Sequence, residues 1–163
     1  MDFETAFARL VDPSHEGGYV NDPQDLGGET KYGISKRTYP GEDIANLTLD
    51  RAKELYRRDY WGPSGGDALP DLLKFEMFDL AVNTSAPGRP VTAIEMLQKA
   101  VGADVDGILG PATLQAAGNI DSRKALSRLQ SLRLKYYTSR PPEWKERFLS
   151  GVVNRVADNM WSA

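Results

Sequence analysis

The sequence predicts a mainly α protein, a helical bundle with one small β-hairpin. Apolar residues recur at three- and four-residue spacing through most of the chain, while period-two alternation is confined to Thr30, Tyr32 and Ile34. Helix boundaries are marked as well: Thr48 and Asp121 stand where N-caps belong, Pro111 at a first helical position and Gly102 just past a last one. With 163 residues the chain can form one compact domain with a real core, with room for a small second lobe.

Phe3, Phe7, Leu10 and Val11 carry the first helix, and the pattern reads on to Glu16, where Gly17-Gly18 would close it in a left-handed C-cap. From His15 to Ile34 the chain concentrates acids, glycines and turn residues beyond any packing need, and loops of this kind on a rigid scaffold are where chemistry collects. The Asp22-Pro23 turn and the Gly27-Gly28 pair predict a hairpin with Asp25 near its tip and Thr30 on the returning strand. Glu16, Asp25 and Thr30 then face one cleft. A carboxyl at a helix end beside Tyr19 is partly desolvated, which raises its pKa and suits it to general acid work. Acids in Gly-rich turns also simply cap amides, and composition alone leaves that reading open.

Leu47-Thr48-Leu49-Asp50 starts the next helix, with Ala52, Leu55, Tyr56 and Tyr60 on one face and a stop at Trp61-Gly62-Pro63. Trp61 suits either the core or a sugar face. Asp71 to Asn83 is apolar nearly all round, which predicts a buried central helix. Thr84 to Pro90 is small and Pro-rich, a lobe boundary, after which Ile94, Leu97 and Val101 line a helix stopped by Gly102. Asp104-x-Asp106-Gly107 lacks the third oxygen residue and the closing Glu of a calcium loop, so no metal and no cofactor is expected. Ala125, Leu129, Leu132 and Tyr136 follow the Asp121 cap, and Trp144, Phe148, Val152 and Val156 form the packing stripe of a last helix.

The run Glu16-Gly17-Gly18-Tyr19-Val20-Asn21-Asp22-Pro23-x-Asp25-x-Gly27-Gly28-x-Thr30-x-x-Gly33-Ile34 resembles the signature of the phage-type N-acetylmuramidases of glycoside hydrolase family 108. The order Glu, Asp, Thr is similar to the catalytic triad of phage lysozymes. Ala52 to Trp61 resembles the family's second segment, and Leu97 to Ala100 with Val105 to Leu114 resembles the helical peptidoglycan-binding repeat that accompanies it. Phe148 to Val156 is similar to its C-terminal segment, with Val152 where a tryptophan is expected. The resemblance implies an α+β lysozyme-like fold with the hairpin at the active site, a catalytic lobe over 1–85 and a helical peptidoglycan-binding lobe over 86–163 packed on it. It also implies Glu16, Asp25 and Thr30 as catalytic residues and Tyr19, Asn21, Tyr32 and Asn83 as substrate-binding ones, although Asn83 equally suits a plain helix C-cap.

The activity so implied is an endolysin-type muramidase that cuts the β-1,4 bond between N-acetylmuramic acid and N-acetylglucosamine in peptidoglycan. A short Asp side chain on a hairpin opposite the helix end favours the inverting spacing of about 6.5–9.5 Å over the retaining one of about 5–5.5 Å. Glu16 is then the acid and Asp25 the base, and Thr30 positions the water. Two alternatives are a lytic transglycosylase, which needs one acid and no second carboxylate, and a non-catalytic wall-binding module, for which Glu16 is dispensable. The absence of cysteine and the single histidine, His15, fit neither zinc amidases nor Cys-His peptidases. His15 has no evident orienting partner and reads as a solvated neighbour. A net charge of −3 offers no general field for nucleic acid. No run approaches the ~20 apolar residues of a membrane span, and Met1-Asp2-Phe3-Glu4 is no secretion signal. The expectation is a monomer made in the cytoplasm that reaches the wall through a separate membrane-permeabilising protein.

Overall fold

The computed structural model describes residues 1–11, 18–21 and 28–161. Glu16 and Asp25, with His15, lie outside the described residues. Among the described residues are seven helices and a single two-stranded sheet, a mainly α fold with a small β-hairpin.

Helix α1 (Phe3–Leu10) opens at Asp2, whose carboxylate accepts from the Thr5 N–H at 2.9 Å. It ends at Leu10 with Val11 as C-cap, so it does not run on to Glu16 as the apolar pattern suggests. Val11 already leaves the helical conformation (φ −105°, ψ 68°), its N–H bonded back to the Phe7 carbonyl.

Strand β1 (Thr30–Lys31) pairs antiparallel with β2 (Ile34–Ser35), Thr30 opposite Ser35 and Lys31 opposite Ile34. Thr30, Tyr32 and Ile34 therefore do not form one strand. The chain reverses at Tyr32 (φ 52°) and Gly33 (φ 72°), the pair of left-handed residues that a two-residue hairpin turn requires.

Helix α2 (Leu49–Tyr56) starts at Thr48, whose hydroxyl accepts from the Arg51 N–H at 3.2 Å. It runs into a π-helical turn, Arg57–Trp61, which buries three successive side chains, Asp59, Tyr60 and Trp61. Trp61 is wholly buried, its ring centroid 5.8 Å from Phe3 and 5.5 Å from Phe78, and its indole N–H donates to Asp67 at 2.9 Å. It is a core residue rather than a sugar platform. A Cβ at Gly66 would lie 2.2 Å from that ring, so only glycine fits there.

Helix α3 (Asp71–Thr84) is the central helix, buried over Leu73 and from Phe75 through Ala81. It packs on α1, α4 (Val91–Val101) and α6 (Ser122–Thr138). After the left-handed Gly102, the loop before α5 (Pro111–Asn119) is tied down by Gln98. The Gln98 carboxamide oxygen accepts from the N–H groups of Asp106 (3.1 Å) and Gly107 (3.0 Å), and its Nε2 donates to Asp106 Oδ1 (2.6 Å). Asp106 is thus a loop staple. The Asp121 carboxylate caps α6, accepting from the Lys124 N–H at 2.9 Å.

The last helix, α7 (Pro142–Trp161), docks differently from the predicted stripe. Val156 is fully buried and Trp144 stacks on Tyr137 at 5.9 Å, but Phe148 is 46% exposed. Arg155 and Asn159, flanking Val156, make the polar contacts to α3 instead. One apolar cluster runs from Phe3 to Leu129 and joins the two halves of the chain. No helix among the described residues is long and apolar enough to cross a membrane.

Candidate active site

A cleft of about 500 Å³ is lined by Val20, Thr30 and Gly33 of the hairpin region, Tyr56 of α2, Asn83 of α3 and Arg155 of α7. Thr30 is fixed from both sides. It exchanges two backbone hydrogen bonds with Val20 (2.9 and 2.8 Å) and pairs with Ser35 across the sheet, while its hydroxyl lies 3.3 Å from the Gly28 carbonyl it donates to. A residue held between two strand neighbours offers its side chain to one face without backbone freedom, which suits a group that must position a small molecule.

Gly18 and Val20 line the cleft, and the intervening Tyr19 does not. Tyr19 is 44% exposed and its hydroxyl donates to Glu29 Oε1 at 2.9 Å, a bond that pushes its pKa up. Asn21 is exposed beside it. The Tyr32 carbonyl accepts from the Tyr56 hydroxyl at 3.1 Å, and its half-buried ring packs on the core, outside the cleft wall. Of the expected site residues with described positions, Thr30 and Asn83 line the cleft; Tyr19, Asn21 and Tyr32 do not.

Asn83 is not the C-cap of α3, a role taken by Ser85. Its amide turns back along the helix and donates to the Asp79 carbonyl (2.7 Å) and to Asp79 Oδ1 (3.2 Å). Asp79 in turn belongs to a buried charge cluster under the cleft. Arg133 of α6 and Asp79 are both fully buried and Glu76 is nearly so, with Arg133 2.9 Å from Glu76 and 2.6 Å from Asp79. Arg155 donates from Nε to Asp79 Oδ1 at 2.5 Å, and Asn159 Nδ2 donates to Asp79 Oδ2 at 3.0 Å. Burial pushes the Asp79 carboxyl up, but the charges of Arg133 and Arg155 outweigh it and hold the group below the ordinary carboxylate range.

Arg155, Glu76 and Asp79 are site elements that periodicity passes over. The available signal was chemical: two acids three apart in the otherwise apolar stretch from Phe75 to Ala81 demand a buried cation, and Arg155 and Asn159 lie one turn apart on α7. Among the described residues no group of three or more His, Cys, Asp or Glu side chains is placed to hold a metal ion.

A mainly α fold with one small hairpin, its hairpin threonine and central-helix asparagine lining one cleft, fits the lysozyme-like class. The family described as Glycosyl hydrolase 108 matches residues 13–84, and that described as Predicted Peptidoglycan domain matches residues 92–157. Among solved structures, SagA of Brucella abortus superposes with a TM-score of 0.83 at 32% identity, over 96% of this chain and 90% of that one. A search of curated proteins returns no significant match. The chain belongs to the glycosyl hydrolase 108 family, with a peptidoglycan domain following the hydrolase domain, and is a glycoside hydrolase of the cell wall.

Proposed function

We propose that the enzyme is an N-acetylmuramidase of endolysin type, which hydrolyses the β-1,4 bond between N-acetylmuramic acid and N-acetylglucosamine with inversion. The observation that carries this reading is Thr30, a hydroxyl immobilised at a cleft wall and held in sequence register with Glu16 and Asp25 inside the hydrolase match. Glu16 protonates the leaving oxygen. Asp25 takes the proton of the attacking water, and Thr30 both accepts from and donates to that water, a partner a direct carboxylate nucleophile would not need. Asn83 in the wall contacts the sugars, with Tyr19, Asn21 and Tyr32, each next in sequence to a lining residue, as further contacts. Residues 1–85 form the catalytic lobe and 86–163 the wall-binding lobe, and a separate membrane-permeabilising protein gives the enzyme access to the periplasm.

Purified peptidoglycan should release fragments ending in reducing N-acetylmuramic acid, identified by mass spectrometry, and NMR of fresh product should show the α-anomer first. An initial β-anomer means retention, and 1,6-anhydromuramic ends mean transglycosylation; either ends this assignment. Thr30→Ala should lower kcat by on the order of a hundredfold with little change in KM, because only the attacking water loses its partner.

For the second lobe, the exposed side chains next to the Asp106 staple are Val105 (47% exposed) and Ile108 (65% exposed). Replacing both with Ser should weaken pelleting with insoluble peptidoglycan by about tenfold, the loss of part of two apolar contacts. Cleavage of short soluble oligosaccharides should stay unchanged; equal loss on both substrates would assign the lobe a structural role.

A further inference from the structure

The outer face of α6 carries positive charge that no acid of the described chain answers. Lys99 of α4 and Ser127, Arg128, Ser131, Leu132 and Lys135 of α6 line an open groove of about 440 Å³ that shares no residue with the catalytic cleft. Ser127, Ser131 and Lys135 also line a second groove of about 350 Å³, which runs on past Leu134 and Thr138 to Met160 of α7. The two make one channel along the helix, and among the described residues no acid lines it. Elsewhere on the surface Arg51, Lys53, Arg58 and Lys74 each hold a carboxylate, whereas Lys99, Arg128 and Lys135 are in no ion pair. Arg128 donates one N–H to the Ala100 carbonyl near the end of α4 at 3.1 Å, which anchors its guanidinium at the groove and leaves its other N–H groups open. The two serines are open as well. Helical hydroxyls commonly bond back to a carbonyl of the preceding turn, as those of Thr138 and Ser139 do, but the hydroxyls of Ser127 and Ser131 bond to no protein group. In a chain of net charge −3, three unpaired cations and two free hydroxyls in one channel are a local reversal of sign.

The spacing narrows the ligand. Ser127, Ser131 and Lys135 are exposed and four residues apart, so they stand on one face of α6 at intervals of about 6 Å along its axis. An extended peptide presents same-side groups every ~6.6 Å, close enough to run in step with that row. Hydroxyls and ammonium groups ask for acceptors, which such a peptide supplies as carbonyls and carboxylates. The whole channel, Met160 apart, lies within the segment 92–157 that matches the Predicted Peptidoglycan domain. We propose that the channel docks the acidic peptides of peptidoglycan in extended form, their carboxylates on Lys99, Arg128 and Lys135 and their carbonyls on Ser127 and Ser131. The C-terminal lobe then reads the peptide while the cleft cuts the glycan. The inference rests on the wall-binding reading of residues 86–163 and gives that lobe a contact chemically different from the apolar pair Val105 and Ile108.

The test changes the charge on each side separately. The whole protein is pelleted on ice with insoluble peptidoglycan, with the same material after its carboxylates are converted to methylamides, and with immobilised glycan strands stripped of peptide. Wild type is compared with Lys99→Gln plus Lys135→Gln and with Ser127→Ala plus Ser131→Ala, and thermal unfolding monitors the fold. Methylamidation should weaken wild-type binding about tenfold, the loss of a few exposed ion pairs. The lysine variant should lose about as much on untreated peptidoglycan and little further on the methylamide, because neutralising either side breaks the same pairs. The serine variant should bind about threefold more weakly on both, since the peptide carbonyls survive methylamidation. Turnover of short soluble peptide-free oligosaccharides should stay within about twofold of wild type for both variants. Equal losses by the lysine variant on untreated and methylamide material, or wild-type binding to stripped strands as tight as to intact peptidoglycan, would overturn the proposal. Tighter binding to vesicles of anionic phospholipid than to peptidoglycan, lost in the lysine variant, would overturn it too and assign the channel to a membrane surface. If the lysine variant pellets like wild type while Val105→Ser plus Ile108→Ser does not, the wall-binding lobe stands and the channel falls. Wild type that fails to pellet at all refutes the wall-binding reading, and the channel with it.

Discussion

Glu16→Gln is expected to yield a folded protein that binds glycan and releases essentially no reducing ends. General acid catalysis contributes on the order of a hundred- to ten-thousandfold, and a carboxamide keeps the size of the side chain while losing the transferable proton. The leaving group is a sugar alkoxide, which departs poorly unless protonated, so the loss should fall on kcat with KM nearly unchanged. The measurement is turnover on purified peptidoglycan together with circular dichroism and unfolding temperature. A variant with wild-type melting and more than about a tenth of wild-type turnover would remove Glu16 from the acid role. The substitution also separates hydrolase from binding module: if Glu16→Gln leaves the biological activity intact, the chain acts by adhesion.

Much of the fold was legible because its signals are local. The hydroxyl of Thr48 and the carboxylate of Asp121 accept from N–H groups three residues on, Pro111 supplies a helical φ at N1, and Gly102 a left-handed one at a C-cap. The hairpin was harder. Its turn places a tyrosine, not an asparagine or aspartate, in the left-handed conformation, and the tertiary bond from Tyr56 to the Tyr32 carbonyl helps hold it. Nothing in the flanking residues announces that bond. Thr30 was legible through its motif, and its place on the cleft follows from pairing with both Val20 and Ser35. Arg155 was not legible, because its partner Asp79 is 76 positions away and helical periodicity marks where a helix is apolar, not where a charge is wanted.

The second large effect is expected at Arg133. It is fully buried with Glu76 and Asp79, 2.9 and 2.6 Å away, and its Nε donates to the Tyr137 hydroxyl at 3.0 Å, so α6 and α3 meet through it. Arg133→Met keeps the length of the stem and removes the charge, leaving two buried carboxylates to share Arg155 and the Asn159 amide. Breaking a buried pair from one side costs about 3–5 kcal/mol, against a total stability of about 5–15 kcal/mol, and lowers Tm by roughly 10 °C in a chain of this size. The pH dependence has a definite sign. The folded pKa of Asp79 lies below its ordinary value of 3.8, so its contribution is present above that pH and is lost as pH falls through the folded value. Without Arg133 there is less of that contribution to lose, and protonation relieves the uncompensated charge. The stability gap between wild type and variant should therefore narrow as the pH is lowered through about 4. Adding Glu76→Leu to Arg133→Met should recover part of the loss at neutral pH, because a buried pair replaced on both sides by apolar groups is often neutral in stability. Denaturant unfolding at pH 7 and pH 3.5 checks all three expectations, and an Arg133→Met protein within about 1 kcal/mol of wild type at pH 7 would mean that the cluster does not hold its carboxylates ionised.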